Sequence, residues 1–317
     1  MKNLRAILMP VAIVLGILIP QAHVLSPMMP FLIGTMMFLT FVTKIPPQTH
    51  GYTFKIEIRA LVVSLLLVAA LAGIVHLFNL PREVLLGGAI IALCPPANAA
   101  PAMAKMLGGS ASLALKIFLS GNLIACFSIP IVFGYLTGTE ANLSEIAMKI
   151  FNTIQPIISI PLAFALGLRA FYPELADRAA KFQKYTMFVW TFSVFVIISK
   201  ASFDIREMGF WDLWNSGKLP MMAGISLVLC ILLYALGWFV EKNRRPIESA
   251  QSMGQKNTTL VIWISTLYAG PVVALAPTCY VVWQNLVLSY LSARIKPKSE
   301  SASAEPPKPE NGKTGSP

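Results

Sequence analysis

Between Ser252 and Thr259 the chain reads SMGQKNTT, which gathers Ser252, Gln255, Lys256, Asn257, Thr258 and Thr259 inside otherwise apolar sequence. Amide and hydroxyl oxygens can ligate a cation or a polar substrate, and an ammonium can hold an anion. An uncompensated ammonium is costly in lipid, so Lys256 there implies a function or a partner. A second unusual stretch, CPPANAAP at 94–101, carries Pro95, Pro96 and Pro101, which remove amide donors and interrupt a helix, together with Asn98. The Asn98 amide either meets a substrate or satisfies a carbonyl freed by the break. Asn122, beside Ser120 and Gly121, is a third polar candidate within an apolar segment, facing a cavity. Catalysis is not expected: the sequence holds no GxSG, HExxH or paired-Asp pattern, and His23, His50 and His76 are dispersed.

The elements that position these residues follow from composition. The 317 residues are 56% hydrophobic and 12% charged, with a mean hydropathy of +0.68, which indicates an all-α polytopic membrane protein whose surroundings are a lipid bilayer. The net charge of +11 is not gathered into basic runs interleaved with aromatics, so no nucleic-acid partner is expected. Cys94, Cys126, Cys230 and Cys279 lie in apolar segments without disulfide or metal spacing and read as packing residues, with no cofactor implied. The basic, apolar N-terminus resembles a signal peptide but lacks a cleavage site and is taken as the first span.

Apolar windows of membrane-crossing length predict ten helices, near 5–23, 28–44, 59–79, 84–107, 110–137, 146–170, 184–201, 219–241, 249–269 and 271–292. Basic residues concentrate in alternate connections (Lys2 and Arg5; Lys44, Lys55 and Arg59; Lys105; Arg178, Lys181 and Lys184; Arg244 and Arg245; Arg294 and Lys296). The positive-inside rule then puts both termini in the cytoplasm and the protein in the cell (inner) membrane. The polar tail 295–317 is expected to be disordered.

Ten spans divide into two five-helix halves, 1–142 and 143–294, of opposite orientation. Their first helices share Pro-x-Ala-x-x-Leu-Gly, PVAIVLG at 10–16 and PLAFALG at 161–167. Inverted repeats of this kind belong to secondary transporters, whose binding sites lie where a helix in each half is broken. CPPANAAP in the fourth span and SMGQKNTT in the ninth are corresponding breaks. Lys256 follows Arg244-Arg245-Pro246 by about ten residues, roughly 15 Å of helix, farther than snorkelling reaches.

These segments resemble the bile acid:sodium symporter family. Residues 94–110, CPPANAAPAMAKMLGGS, are similar to its first break and the basic turn after it; 254–257, GQKN, are similar to its Gly-x-Gln-Asn; and 271–285, PVVALAPTCYVVWQN, keep its Pro-Val-Val-Ala and Trp-x-Asn spacing. The resemblance implies ten helices in two inverted repeats, the fourth and ninth broken and crossing. It further implies a panel of helices 1, 2, 6 and 7 and a core of helices 3–5 and 8–10 moving against each other, with Pro10, Gly16, Pro161 and Gly167 as flexible or closely packed points.

The chain departs from the family where sodium binds. The expected Ser-Asn pair is Ala100 and Pro101, hydroxyl positions on the next helix are Ala114 and Phe118, the Glu before the ninth-helix Gly is Ser252, and the following Gln is Lys256. A hard cation needs several oxygens, so sodium coupling is doubtful. All fourteen acidic residues fall in expected loops, the tail or span ends, leaving no deep carboxylate. The expectation is a sodium-independent carrier of a small organic anion in which the Lys256 ammonium replaces the bound cation. Alternatively Lys256 exchanges a proton, since buried lysines titrate more easily. An arsenite-type permease using Cys94, or a sensor on the same scaffold that binds without transporting, are the competing functions.

Overall fold

A computed structural model describes residues 2–43, 54–138 and 143–294. The tail from 295, and Lys44 and His50, lie outside the described residues. Among the described residues the architecture is all-helical apart from one isolated bridge. Helix α1 (Lys2–Leu18) leads into a 3-10 stretch, Pro20–Met28, and α2 (Met29–Phe41). Then come α3 (Lys55–Leu77), α4 (Arg82–Leu93), α5 (Ala100–Met106) and α6 (Ala111–Ser128), which continues through a π-helical turn, Ile129–Phe133, into α7 (Gly134–Thr137). The second half contains α8 (Leu143–Phe171), α9 (Pro173–Ala180), a 3-10 turn at Lys181–Tyr185, α10 (Thr186–Glu207) and α11 (Phe210–Asn215). It ends with α12 (Lys218–Val240), α13 (Pro246–Gly254), α14 (Thr258–Tyr268) and α15 (Pro271–Arg294).

Seven of these stretches are long and apolar enough to cross a bilayer: Pro20–Phe41, Lys55–Leu77, Ala111–Thr137, Ser144–Phe171, Pro173–Glu207, Lys218–Val240 and Pro271–Leu288. The fold is therefore that of a helical membrane protein. Large apolar side chains such as Phe31, Leu66 and Phe171 face outward, as lipid rather than water requires. The other three expected spans are α1, only 17 residues long, and the two in which proline or glycine divides the helix, α4–α5 and α13–α14.

The helices pack in two groups. In one, α1 lies along α10 and α2 along α8; in the other, α3, α4, α12, α13 and α15 pack on one another, with α5 and α6 joined to them through α13 and α14 through α15 and α4. Gly16 shows why α1 and α10 approach so closely, because a Cβ there would lie 2.8 Å from the Ile198 side chain. Gly167 differs from the expectation. Nothing lies within 4 Å of its Cβ position, so the shared Leu-Gly serves close packing only in the first half. The first boundary also shifts: the helix ends at Leu18 rather than near 23, because Pro20 starts a tighter 3-10 turn that merges with the second span.

The turn between α5 and α6 holds the second group together. Gly108 takes φ +89°, open to glycine at little cost, and Ser110 caps α6 by accepting from the Leu113 amide at 3.2 Å. The Ser110 amide in turn donates to Glu248 Oε1 at 2.7 Å. A buried carboxylate on α13 thus sits at the positive end of α6, where charge and dipole are complementary. Glu248→Ala should cost about 2 kcal/mol, measured as a lower melting temperature, and Glu248→Gln, which keeps an acceptor, roughly half as much.

Candidate functional site

The two interruptions meet. Cys94, preceding Pro95, is pushed into extended geometry (φ −55°, ψ 133°) and ends α4, while Gln255 is extended (φ −88°, ψ 92°) and ends α13. The freed segments pair as a two-residue antiparallel bridge between Pro96 and Lys256. The Ala97 amide donates to the Gln255 carbonyl at 2.8 Å, and the Asn257 amide to the Pro95 carbonyl at 2.9 Å. Backbone groups that a broken helix would leave without partners in lipid are satisfied by the other break.

Lys256 lies at the centre of this crossing and is 5% exposed. Its amide donates to Gln284 Oε1 at 3.1 Å. Its Nζ donates to the Cys94 carbonyl at 2.7 Å and reaches the Ala92 carbonyl at 3.4 Å. Those carbonyls are the C-terminal end of α4, where partial negative charge accumulates and a cation is stabilised. The ammonium therefore caps a buried helix end. A snorkelling lysine would extend to the headgroups instead.

Neighbouring residues fix this geometry. Gln255 turns away from the crossing, its Oε1 accepting from Tyr234 Oη at 2.8 Å. Tyr280 Oη donates to the Gly254 carbonyl at 2.8 Å, and Gln284 Nε2 to Thr258 Oγ1 at 3.4 Å. Gly121 of α6 abuts the Pro96 ring, with its Cβ position 2.9 Å away.

Two clefts flank the crossing. The smaller has about 50 Å³ of water-sized space and is lined by Glu57, Ser64, Cys94, Pro95, Pro96, Ser128, Ser252 and Lys256, among others. Glu57 lies at a span end as expected, in the first turn of α3, yet it is buried, 3% exposed, and accepts a hydrogen bond from Ser120 Oγ. Glu241, bonded to Arg59, and Glu248 are also buried.

The larger cleft, about 540 Å³, runs between α2 and α10 on one side and α5 and α6 on the other. Met36, Met103, Leu115, Met187 and Trp190 supply apolar walls. Lys105, Lys181 and Lys184 stand at its exposed rim. Asn98 lies in its wall with both polar atoms of its amide buried and unpartnered among the described residues, and Thr186 contributes a hydroxyl likewise unpartnered. An amide left so costs about 1–3 kcal/mol, and a polar ligand in the cleft would recover it.

The expected residues are thus divided. Pro95, Pro96, Ser252 and Lys256 share the small cleft and Asn98 lines the large one. Asn257 and Thr258 lie buried where α14 begins, and the Asn257 Nδ2 has no hydrogen-bond partner among the described residues. Asn122 differs from its expected place: it is fully buried, donates Nδ2 to the Phe118 carbonyl one turn back at 2.8 Å, and lines neither cleft. Cys94 is buried with its thiol toward the Pro95 carbonyl. Sequence reasoning missed Glu57, Thr186 and Trp190. No protein-family model matches this chain, and no curated protein matches it.

Proposed function

We propose that the chain is a secondary transporter of the bile acid:sodium symporter type, moving a small organic anion by alternating access without sodium. The observation that carries this is the Lys256 ammonium, 2.7 Å from the Cys94 carbonyl at the crossing of two broken helices. A fixed cation holds there the kind of carbonyl cluster that a diffusible one would otherwise occupy.

An inverted repeat of ten spans gives the breaks their reason, and several relations favour it. Pro96 and Lys256 are bridge partners and stand 160 residues apart, the same offset that separates the start of α6 at Ala111 from that of α15 at Pro271. Helices α3 and α12 are both 23 residues long. The packing of α1 on α10 is matched by that of α8 on α2, and of α5 on α6 by α14 on α15. In this reading α1, α2, α8 and α10 form the panel, the remaining long helices form the core, and the large cleft between them is the substrate path. Charge bias in the loops favours both termini in the cytoplasm of an inner membrane.

The large cleft suits an amphipathic organic anion: apolar walls for its body, Asn98 and Thr186 for a polar group, and three lysines that raise its local concentration at the rim. Changing Lys105, Lys181 and Lys184 together to Gln should weaken anion binding on the order of tenfold at low ionic strength, with the deficit shrinking as salt is added. A thermal-shift screen of organic acids, run in sodium and in choline buffers, identifies a ligand and tests the function. Ligands that stabilise equally in both buffers, and are then taken up by proteoliposomes, support a sodium-independent carrier; stabilisation only in sodium refutes it.

A further inference from the structure

The connection between α8 and α10 exposes more apolar surface than a loop in water would keep. Phe171, Tyr172 and Leu175 stand outward at its start, and Phe182, Tyr185 and Phe188 do so after α9, with Phe171 80% exposed and Phe182 57%. The segment is nevertheless too charged for the hydrocarbon core. Between 169 and 185 four basic residues, Arg169, Arg178, Lys181 and Lys184, accompany two acidic ones, Glu174 and Asp177. Aromatic side chains beside basic groups suit the boundary where acyl chains meet headgroups. Chain order points to the same place, because the segment follows directly on the membrane-crossing stretch Ser144–Phe171 and leads into α10.

The segment is held against the fold rather than trailing from it. Ala176 of α9 is fully buried. Arg169, near the end of α8, donates Nε to the Val42 carbonyl at the end of α2, 3.0 Å away, and its guanidinium pairs with Asp177 of α9 at 3.1 Å. With Arg169 and Asp177 so paired, Arg178, Lys181 and Lys184 face outward alongside Glu174, all four exposed. Rings interleave with these charges. The Lys184 Nζ lies 5.0 Å from the centre of the Tyr185 ring, and that ring stands 6.0 Å from Phe182 and 6.4 Å from Phe188.

We propose that this connection is a binding surface for an anionic phospholipid, whose headgroup phosphate is held by Arg178, Lys181 and Lys184 and whose acyl chains cover Leu175, Phe182 and Tyr185. Guanidinium and ammonium groups both donate charge-assisted hydrogen bonds to phosphate oxygens. A zwitterionic lipid brings the same chains without the net negative charge that three cations against one carboxylate favour. Lys181 and Lys184 also line the large cleft, so a bound headgroup stands at its rim. The surface itself does not depend on the carrier function proposed above.

Native mass spectrometry of the full-length protein in neutral detergent, titrated with phosphatidylglycerol or with phosphatidylcholine of the same chains, tests this. The expected result is tighter binding of phosphatidylglycerol. Each basic residue near an anionic headgroup contributes about fivefold, so changing Arg178, Lys181 and Lys184 together to Gln should remove roughly a hundredfold of that preference. Changing the same three residues with charge kept, Arg178→Lys, Lys181→Arg and Lys184→Arg, should retain it, which separates lost charge from a damaged fold. Arg178→Gln with Phe182→Ala, neither of which lines the large cleft, should weaken phosphatidylglycerol more than phosphatidylcholine. Equal affinity for the two lipids, a preference that survives the triple Gln change, or displacement of the lipid by glycerol phosphate at the same concentration overturns the proposal. The titration contains no transported anion, so failure of the carrier function leaves its outcome unchanged.

Discussion

Lys256→Gln is expected to abolish most of the sodium-independent uptake proposed above. The ammonium's bonds to the Cys94 and Ala92 carbonyls are charge-assisted, and losing such an interaction costs about 1.5–3 kcal/mol, roughly tenfold to a hundredfold in the competent population. Two effects oppose each other here. Burying an ammonium is costly, so an apolar replacement could stabilise a site that merely tolerates the charge. Against this, the end of α4 presents carbonyls with no alternative donor in lipid, and that term should win. Lys256→Met is therefore expected to lower the melting temperature; a rise would mean the charge is tolerated rather than used. Adding Ser252→Glu to Lys256→Gln returns a carboxylate and an amide oxygen to the cleft, and uptake by this pair should become sodium-dependent.

Gly254→Ala should be the most destabilising small substitution near the site. A Cβ at 254 would lie 2.4 Å from the Tyr234 ring, and that ring cannot retreat without giving up its hydroxyl bond to Gln255. Overpacking of this severity costs about 3 kcal/mol, visible as a large fall in melting temperature. Gly88→Ala offers the contrast. Its new Cβ would meet Leu71 at 2.2 Å, but the clash is with the mobile end of a leucine, and about 1 kcal/mol should suffice. Combining Gly254→Ala with Tyr234→Leu should recover part of the loss, which separates a ring clash from a backbone requirement at 254.

The interruptions were legible because proline and glycine act locally. Pro95 and Pro96 stop a helix wherever they occur, and a run of polar residues after Gly254 stands out against apolar sequence. Lys256 was legible as buried because its distance from the basic turn exceeds the reach of its own side chain. What joins the two breaks is a tertiary matter, yet two broken helices in lipid have little choice but to satisfy each other.

Glu57 was not legible for the opposite reason. Its burial depends on how α6 packs against the start of α3, and nothing in either segment encodes that contact. The same holds for Asn122, whose polar neighbours Ser120 and Gly121 suggested a cavity while its Nδ2 is bonded within the helix itself. Helical spacing places Thr186 and Trp190 near each other on α10, but only the packing of α10 across from α5 and α6 makes them part of a cleft.

In the function proposed here, a side-chain ammonium holds the position of a diffusible cation where the broken helices cross. Equilibrium binding of radiolabelled sodium to the purified protein, measured against choline and repeated on the Ser252→Glu, Lys256→Gln pair, tests it most directly. The expected result is no saturable sodium binding by the unmodified chain and its appearance in the double variant. Saturable sodium binding with Lys256 in place would contradict it.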